Sequence, residues 1–468
     1  MDIVFSEKKA WDSGRESVIF HARFEKKRVR CVVTNGFLMA PLAGSAPLTE
    51  EKALELFETR RSEIDSIIRD RLEKNAIEQN AVGSMPEIVL RSVDWPPRRD
   101  MLKRIRVAGW RSIKDQAIDL TPLTVVIGAN GAGKSNLLAL FKLLNAMFAG
   151  TPGFRNYVGL SGFADSLLHY GPRQTPVAEM ELTFSTDRGE TRYHARWAAA
   201  PGGALIFTEE RLEFRRGGTS SPLVIDLGKG HSETKLVEKA DAGDQAAAIA
   251  LRLLRSCRLF HFHDTSDNSA ARKPCYVEAN RFLYPDAGNL AAMLYLFREK
   301  HPAAYRRITA AVRQMVPDFD GFVLEPSKLN QQQILLNWNH KNREYEFGPH
   351  QLSDGSLRFI SLATLLLQPA ENLPLLIALD EPELGQHPAA LEVLAGMAKA
   401  ASLHSQLLLA TQSSAFLDHF EPENIVVVNS RSGVSEFQRL DAENLKTWLE
   451  EYTLGEIWEK NVVGGGPY

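Results

Sequence analysis

Apolar and polar positions alternate over residues 17–24 and 27–33, which predicts two half-buried strands. The period then lengthens. Ala53, Phe57, Ile64, Ile68 and Leu72 fall at helical spacing and predict one amphipathic helix over about residues 49–75. Thr49 offers an N-cap, and Glu50 and Glu51 suit the positive end of the helix dipole. Residues 76–100, with Gly83, Pro86, Pro96 and Pro97, hold neither period and read as a linker.

From residue 103 the strand period returns. KRIRVAGW and QAIDL predict strands, and the β-branched run LTVVI predicts a buried strand that enters glycines and then a helix through Phe148. VAEMELTF, TRYHARW and GALIFTEERLEFRR alternate, as antiparallel strands with one wet face do, and predict a side sheet. Residues 245–345 hold helical stretches over 247–255 and 289–300 and two strand patterns, QQILLNWN and REYEFG, without sustained heptads. The last third runs as a helix after Gly355, the strand LPLLIALD, a helix from Pro388, the strand QLLLAT and a final strand NIVVVN. Such alternation predicts a parallel sheet covered by helices. The expected fold class is α/β. Residues 101–468 form a head of mixed sheet flanked by helices, with an antiparallel β subdomain and helical insertions within 150–350. A small α+β domain over 1–95 precedes it, and 96–100 ends the linker. The GlyGlyGly at 464–466 reads as a frayed end.

A chain of 468 residues with 44% hydrophobic content can bury a large core, and its length suggests roughly two to three domains. The formal net charge of −3 gives no overall preference for nucleic acid. It leaves room for a local basic groove: Lys103, Arg104, Arg106, Arg111 and Lys114 could touch DNA phosphates or line a solvated edge strand. Cys31, Cys257 and Cys275 form no CxxC pair, which argues against a zinc ribbon, a redox dithiol or a disulfide framework and fits a reducing cytoplasm. The opening residues lack the order of a signal peptide, and no window reaches about 18 uninterrupted apolar residues. A cytoplasmic protein without a membrane span is expected.

The strongest chemical motif is GANGAGKS, Gly128 to Ser135, a full GxxxxGK[ST] between an apolar strand and a helix. Glycines let the backbone turn tightly and aim amide protons at phosphate oxygens, and the helix N-terminus adds a favourable dipole. Gly128, Asn130, Gly131, Gly133, Lys134, Ser135 and Asn136 are the expected nucleotide contacts. Lys134 would neutralise phosphate charge, and Ser135 would offer its hydroxyl to a magnesium ion. In LLIALDEPE an apolar strand delivers two adjacent carboxylates: Asp380 as a second magnesium ligand and Glu381 as the base for an attacking water. His261, His263 and Asp264 alternate in a strand-like HFHD, where strand packing is favoured over zinc because no third ligand lies nearby.

About two dozen residues before Asp380 stands LSDGS, with Ser353 and Gly355, at the start of a helix. It resembles the LSGGQ signature of ABC-type ATPases, with Asp354 in place of a glycine. The variant, together with Gly109-Trp110-Arg111-Ser112, which is similar to the NFRS box, looks like the RecF, SMC and DNA-repair branch and its small stand-alone bacterial relatives; the resemblance spans about residues 101–460. It implies ATP and magnesium as cofactors and two heads meeting head to tail, so that Ser353 and Gly355 contact the nucleotide of the opposite head. It implies further roles for Arg111 at the nucleotide, Gln412 as γ-phosphate sensor, and Gln174 as the metal-side glutamine that follows the phosphate-loop helix. The first 95 residues resemble a small bacterial domain of unknown function.

Only about 220 residues separate Lys134 from Ser353, too few for long coiled-coil arms. The resemblance therefore implies a RecF-like ATPase that pairs or oligomerises with ATP and gates DNA or a separate nuclease or toxin chain, in the manner of bacterial anti-phage systems. A DNA-repair ATPase acting directly on DNA, and a scaffold that binds ATP with negligible turnover, stay open as alternatives.

Overall fold

The computed structural model describes residues 3–12, 17–24, 27–34, 38, 49–59, 61–73, 87–90, 100–186, 189–216 and 221–466. Contacts divide the chain into two compact units, Met1–Arg98 and Arg99–Tyr468.

In the first unit, strands Ile3–Asp12, Ser17–Phe24 and Lys27–Thr34 form an antiparallel meander, and Glu87–Leu90 pairs in parallel with the third. A parallel neighbour cannot be reached by a tight turn. The crossover carries the helices Glu50–Thr59 and Arg61–Glu73 where the sequence predicts a single helix, with residue 60 outside the described residues. The apolar stripe lies inward: Ala53, Phe57, Ile64, Ile68 and Leu72 pack with Val18, Phe20, Cys31 and Val33 in one core. Two strands escape the sequence pattern. Ile3–Asp12 is an edge strand whose register shifts between Phe5 and Lys9. Glu87–Leu90 has four residues and sits within the expected linker, most of which lies outside the described residues.

The second unit is built on a six-stranded sheet in the order Cys257–Phe260, Leu376–Asp380, Gln406–Thr411, Leu123–Ile127, Ile425–Arg431, Val434–Arg439. The first five are parallel and the last closes the edge as an antiparallel hairpin. A second, fully antiparallel sheet runs Leu223–Gly228, Leu205–Arg216, Gly189–Ala199, Val177–Thr186, Met101–Trp110, Ile113–Asp119. Helix Lys134–Ala149 is apolar on most faces because it shares one core with residues of both sheets. Leu137, Phe141, Leu143 and Leu144 are buried there, each contributing roughly 1.5–3 kcal/mol.

The outer face of the side sheet is a ladder of paired charges. Arg104 meets Asp119 at 3.4 Å, Arg106 meets Asp115 and Glu179, and Arg192 meets Glu181 and Glu213. Arg104 and Arg106 thus lie on a solvated, charge-matched face, on a strand paired on both sides, rather than in a bare basic groove or on an edge strand. A bulge between Phe207 and Glu209 shifts the register and turns Glu210 inward. There its carboxylate, fully buried, accepts from Tyr193 Oη at 2.7 Å, Thr234 Oγ1 at 2.5 Å and the Lys235 N–H at 2.9 Å.

Other elements appear only with the fold: strand Leu223–Gly228, helix Pro302–Met315, strand Val434–Arg439, and helices Ala442–Leu449 and Leu454–Glu459. QQILLNWN, expected as one strand, divides into Gln333–Ile334 and Asn337–His340, and only Glu346–Phe347 of REYEFG pairs. The tail glycines are not frayed. Gly465 N–H donates to Asn429 Oδ1 at 2.5 Å, and its carbonyl accepts from Trp458 Nε1 at 2.8 Å. Among the described residues no helix is long and apolar enough to cross a membrane.

Candidate active site

Parallel register places the three chemical strands level. Thr411 pairs with Ile127 and Asp380 with Ala410, so the carboxyl ends of all three strands open on one edge, with Gln406–Thr411 in the middle. That edge of an open α/β sheet is where ligands bind. From Leu123–Ile127 the chain enters the glycine loop, in which Gly131 (φ 77°) and Gly133 (φ 117°) take left-handed conformations. At Gly133 a β-carbon would also stand 2.0 Å from Ser435 Oγ. Asn130, Gly131 and Ser135 are exposed at the lip of the loop. Lys134 is buried, and its Nζ donates to the carbonyls of Gly128 at 2.6 Å and Ala129 at 3.2 Å. Burial pulls its pKa down, against the raising influence of Glu381, Asp380 and Glu383.

Ser135 Oγ donates to Asp380 Oδ2 at 3.3 Å across 245 positions of sequence. Burial pushes the Asp380 carboxyl above its ordinary value, partly offset by His263, Ser135 and Lys134. A half-buried carboxylate and an exposed hydroxyl converging beside an anion cradle are hard oxygen donors that fit a magnesium ion carrying a nucleotide. Gln174 does not join them. It is exposed in a turn before Val177–Thr186, its N–H donates to the Gly171 carbonyl, and no described contact links its amide to Ser135 or Asp380.

Glu381 follows Asp380 at φ 42°, a left-handed conformation that costs a non-glycine residue about 1–3 kcal/mol. Its N–H is tied to the Ala410 carbonyl at 2.8 Å, which holds the reversal. Two residues on lies a carboxylate the motif reading missed. Glu383 Oε1 accepts from Thr411 Oγ1 at 2.5 Å and from the Gln412 N–H at 3.3 Å, while its buried Oε2 has no partner. Burial raises its pKa, opposed by those hydrogen bonds. The bond to Gln412 ties the expected sensor segment to the acidic strand end. A glutamate inside DEPE carries no local signal of such a role, since Thr411 reaches it only through the sheet.

A buried polar chain fixes the underside of the loop. Asn136 Nδ2 donates to Ser112 Oγ at 2.6 Å, Ser112 Oγ lies 2.7 Å from Ser435 Oγ, and Ser435 Oγ donates to the Ala132 carbonyl at 2.6 Å. The Asn136 Nδ2, of a residue expected at the nucleotide, is bonded to Ser112 in this structure. Arg111 sits beside this chain at φ 46°, its N–H on the Leu167 carbonyl and its carbonyl 2.6 Å from His169 Nδ1. Its Nε is buried without a partner. A strained backbone and an unpaired donor are features that collect at functional sites.

Ser353 caps helix Asp354–Leu367, accepting the Ser356 N–H at 3.1 Å, and is exposed. At Gly355 a β-carbon would come 2.5 Å from the Gly385 carbonyl, so the signature helix packs against the turn that follows the acidic pair. Arg358 joins that turn to the segment after Cys257–Phe260: Nη1 donates to the Leu384 carbonyl, Nε to the Phe262 carbonyl at 2.9 Å and Nη2 to the His263 carbonyl at 3.1 Å. HFHD is therefore not strand. Cys257–Phe260 ends before it, and residues 261–264 run on as loop, with His263 Nε2 2.8 Å from the Asp380 carbonyl oxygen. Among the described residues no group of three or more His, Cys, Asp or Glu could hold a metal.

Burial, with His263 and Lys142 adding repulsion, lowers the His261 pKa from 6.5 to about 4. Above the ordinary value the ring is neutral folded or unfolded, and stability is full. As pH falls from 6.5 towards 4, the unfolded chain takes a proton that the folded chain refuses, so stability is lost across that window. His261→Gln is expected to spare about 1–3 kcal/mol of that loss, after discount for partial exposure, in urea denaturation compared at about pH 7.5 and about pH 4.5. Equal pH dependence in both proteins would refute it.

The family model described as an AAA domain, putative AbiEii toxin, Type IV TA system, matches residues 238–418, and one described as an AAA ATPase domain matches 101–160. A protein of unknown function, DUF1488, is the description of the model that matches residues 3–81. No curated protein matches the chain. Among solved structures, an SmcHead bound to the C-winged helix domain of ScpA aligns at 16% identity and a TM-score of 0.51, covering 74% of this chain and 99% of that one. An Smc head with an extended coiled coil, bound to the C-terminal domain of ScpA derived from Pyrococcus furiosus, aligns at 16% identity and 0.49, covering 75% and 99%. The SMC head domain from Thermotoga maritima aligns at 14% and 0.37, covering 73% and 99%. With the phosphate loop, acidic strand end and signature helix laid out as above, residues 101–160 and 238–418 match ATPase-domain models, residues 3–81 match the DUF1488 model, and the ATPase region shares its fold with the SmcHead.

Proposed function

We propose that this protein hydrolyses ATP to ADP and phosphate at sites shared between two copies, and that the pairing and release of the copies gates a partner. The observation that carries the reading is the Ser135–Asp380 contact at 3.3 Å, which gathers the hydroxyl and the carboxylate beside the glycine loop. The loop's backbone amides and Lys134 bind the triphosphate. Ser135 and Asp380 hold magnesium, which when bound offsets phosphate charge. Glu381 orients a water and accepts its proton as the water oxygen bonds to the γ-phosphorus and the bond to the β-phosphate oxygen breaks. Gln412 senses the γ-phosphate by hydrogen bonding, and Arg111, next to the Ser112–Asn136 chain beneath the loop, supplies a further donor to the nucleotide.

Ser353 is exposed at a helix N-terminus, a ready anion site, and its hydroxyl bonds only within its own turn, to Ser356, among the described contacts. Its nucleotide is that of a second copy, to which Gly355 also presents. Hydrolysis removes the anion that joins the two surfaces, so ATP times the assembly. In this reading residues 1–95 recognise the partner, 96–100 close a linker and 101–468 form the motor, in the cytoplasm. A separate toxin or nuclease chain in anti-phage defence is the favoured partner; the family that residues 238–418 match, itself described as a putative AbiEii toxin of a Type IV TA system, links this kind of ATPase domain to toxin–antitoxin systems. DNA is less favoured, since Arg104 and Arg106 are already matched by carboxylates.

The test is the dependence of assembly and turnover on concentration. Light scattering is expected to give a doubled mass with ATP and magnesium, and turnover per chain to rise with protein concentration before levelling. Turnover per chain that is flat with dilution, with a monomer mass in ATP, would overturn the paired site.

A further inference from the structure

The signature loop buries Pro349 and Leu352 but leaves its polar residues outward. Gln351, Ser353 and Asp354 are exposed, and the approach is a single turn of 3-10 helix, Pro349–Gln351. One side chain from a distant segment ties its backbone carbonyls and the helix start together. Arg272 closes the short turn Ala270–Arg272, and its side chain is 4% exposed. From there its guanidinium reaches in three directions: Nε donates to the Thr265 carbonyl at 2.9 Å, Nη1 to the Leu352 carbonyl at 3.1 Å and to the Pro349 carbonyl, and Nη2 to Asp354 Oδ1 at 2.9 Å.

Burying a guanidinium is expensive, and three of its four acceptors are neutral carbonyl oxygens. The Asp354 carboxylate is 70% exposed, so the ion pair adds little stability. What the arrangement supplies is direction. A planar fork bonded to the carbonyls on both sides of residues 350–351, and to the first residue of the signature helix, fixes the loop and the helix start as one body. Lysine, with a single nitrogen, cannot reproduce that geometry. The clamp also accounts for aspartate where the LSGGQ pattern has glycine, because glycine offers Arg272 no side-chain oxygen.

We infer that Arg272 is a positioning residue that sets the Ser353 hydroxyl and the N-terminus of the signature helix for the nucleotide of a second copy. The inference rests on the paired-site reading and deepens it. Arg272 touches no residue of its own chain's phosphate loop among the described contacts. Its loss therefore damages the site the chain offers, not the one it owns.

The experiment uses full-length Arg272→Lys and Arg272→Gln chains, each checked for ATP affinity and melting temperature. Alone, each is expected to bind ATP within about threefold of wild type and to turn it over at least about tenfold more slowly, the scale set by misplacing a group around a reacting centre. Lys134→Ala chains, which keep the clamp and lack a working phosphate loop, are then mixed in. Turnover is expected to return, because the mixed pair contains one complete site, the Arg272 variant's phosphate loop facing an intact signature. Ser353→Arg mixed with Lys134→Ala is the control. Recovery in the control without recovery in the Arg272 mixtures, or wild-type turnover by Arg272→Lys alone, would overturn the clamp. Failure of the control together with the Arg272 mixtures would overturn the paired site, and the clamp with it.

Discussion

Glu381→Gln is expected to slow ATP turnover by about 10²–10⁴-fold, the usual contribution of a positioned general base, while nucleotide stays bound. Glutamine keeps the shape and the backbone bond to Ala410 but cannot accept the proton of an attacking water. Glu381 stands at a strained φ of 42° just past the strand end, while Asp380 is the carboxylate that Ser135 contacts, so the two carboxylates are given separate duties. ATP with intact γ-phosphate should then hold two copies together, and a doubled mass should persist in light scattering after free ATP is removed. Wild-type turnover in Glu381→Gln would transfer the role of base to another group. Negligible turnover in the wild type itself would favour the ATP-stabilised scaffold.

Lys134→Ala acts earlier, on binding. The amine is buried beneath the glycine loop and faces the charges of Asp380, Glu381 and Glu383. Without it, three carboxylates confront an incoming triphosphate with no cation from this loop helix. Removing one member of a buried, hydrogen-bonded charge pair costs roughly 2–5 kcal/mol, so ATP is expected to bind at least ~30-fold more weakly. Titration calorimetry with ATP and magnesium measures it, and an affinity within about threefold of wild type would reject Lys134 as a phosphate ligand. The fold should survive, since the bonds lost go to the carbonyls of Gly128 and Ala129, which lie at the mouth of the loop.

The expectations that hold in the structure share a local origin. The β-branched run before Gly128 forms Leu123–Ile127, LPLLIALD contains Leu376–Asp380, and the stripe from Ala53 to Leu72 faces one core. In each case neighbouring residues carry the signal, because a buried strand or an amphipathic helix selects its apolar positions at its own period. Short elements do not. Glu87–Leu90 and Val434–Arg439 exist because a partner strand supplies their hydrogen bonds, and a single helix was expected where the crossover of the first unit carries two. HFHD alternates like a strand yet runs as loop, its backbone carbonyls taken by Arg358.

Site residues divide in the same way. Gly128 to Ser135, Asp380, Glu381 and Ser353 are legible because a phosphate cradle, an acidic strand end and a helix cap each need fixed residue types at fixed local spacing. Ser435, which closes on Gly133, Glu383, which holds the Gln412 segment, and Arg272, which spans 82 positions to Asp354, carry no such pattern. Their partners are brought near by sheet register and loop packing, and a hydrogen bond depends on distance in space, to which separation along the chain is no guide.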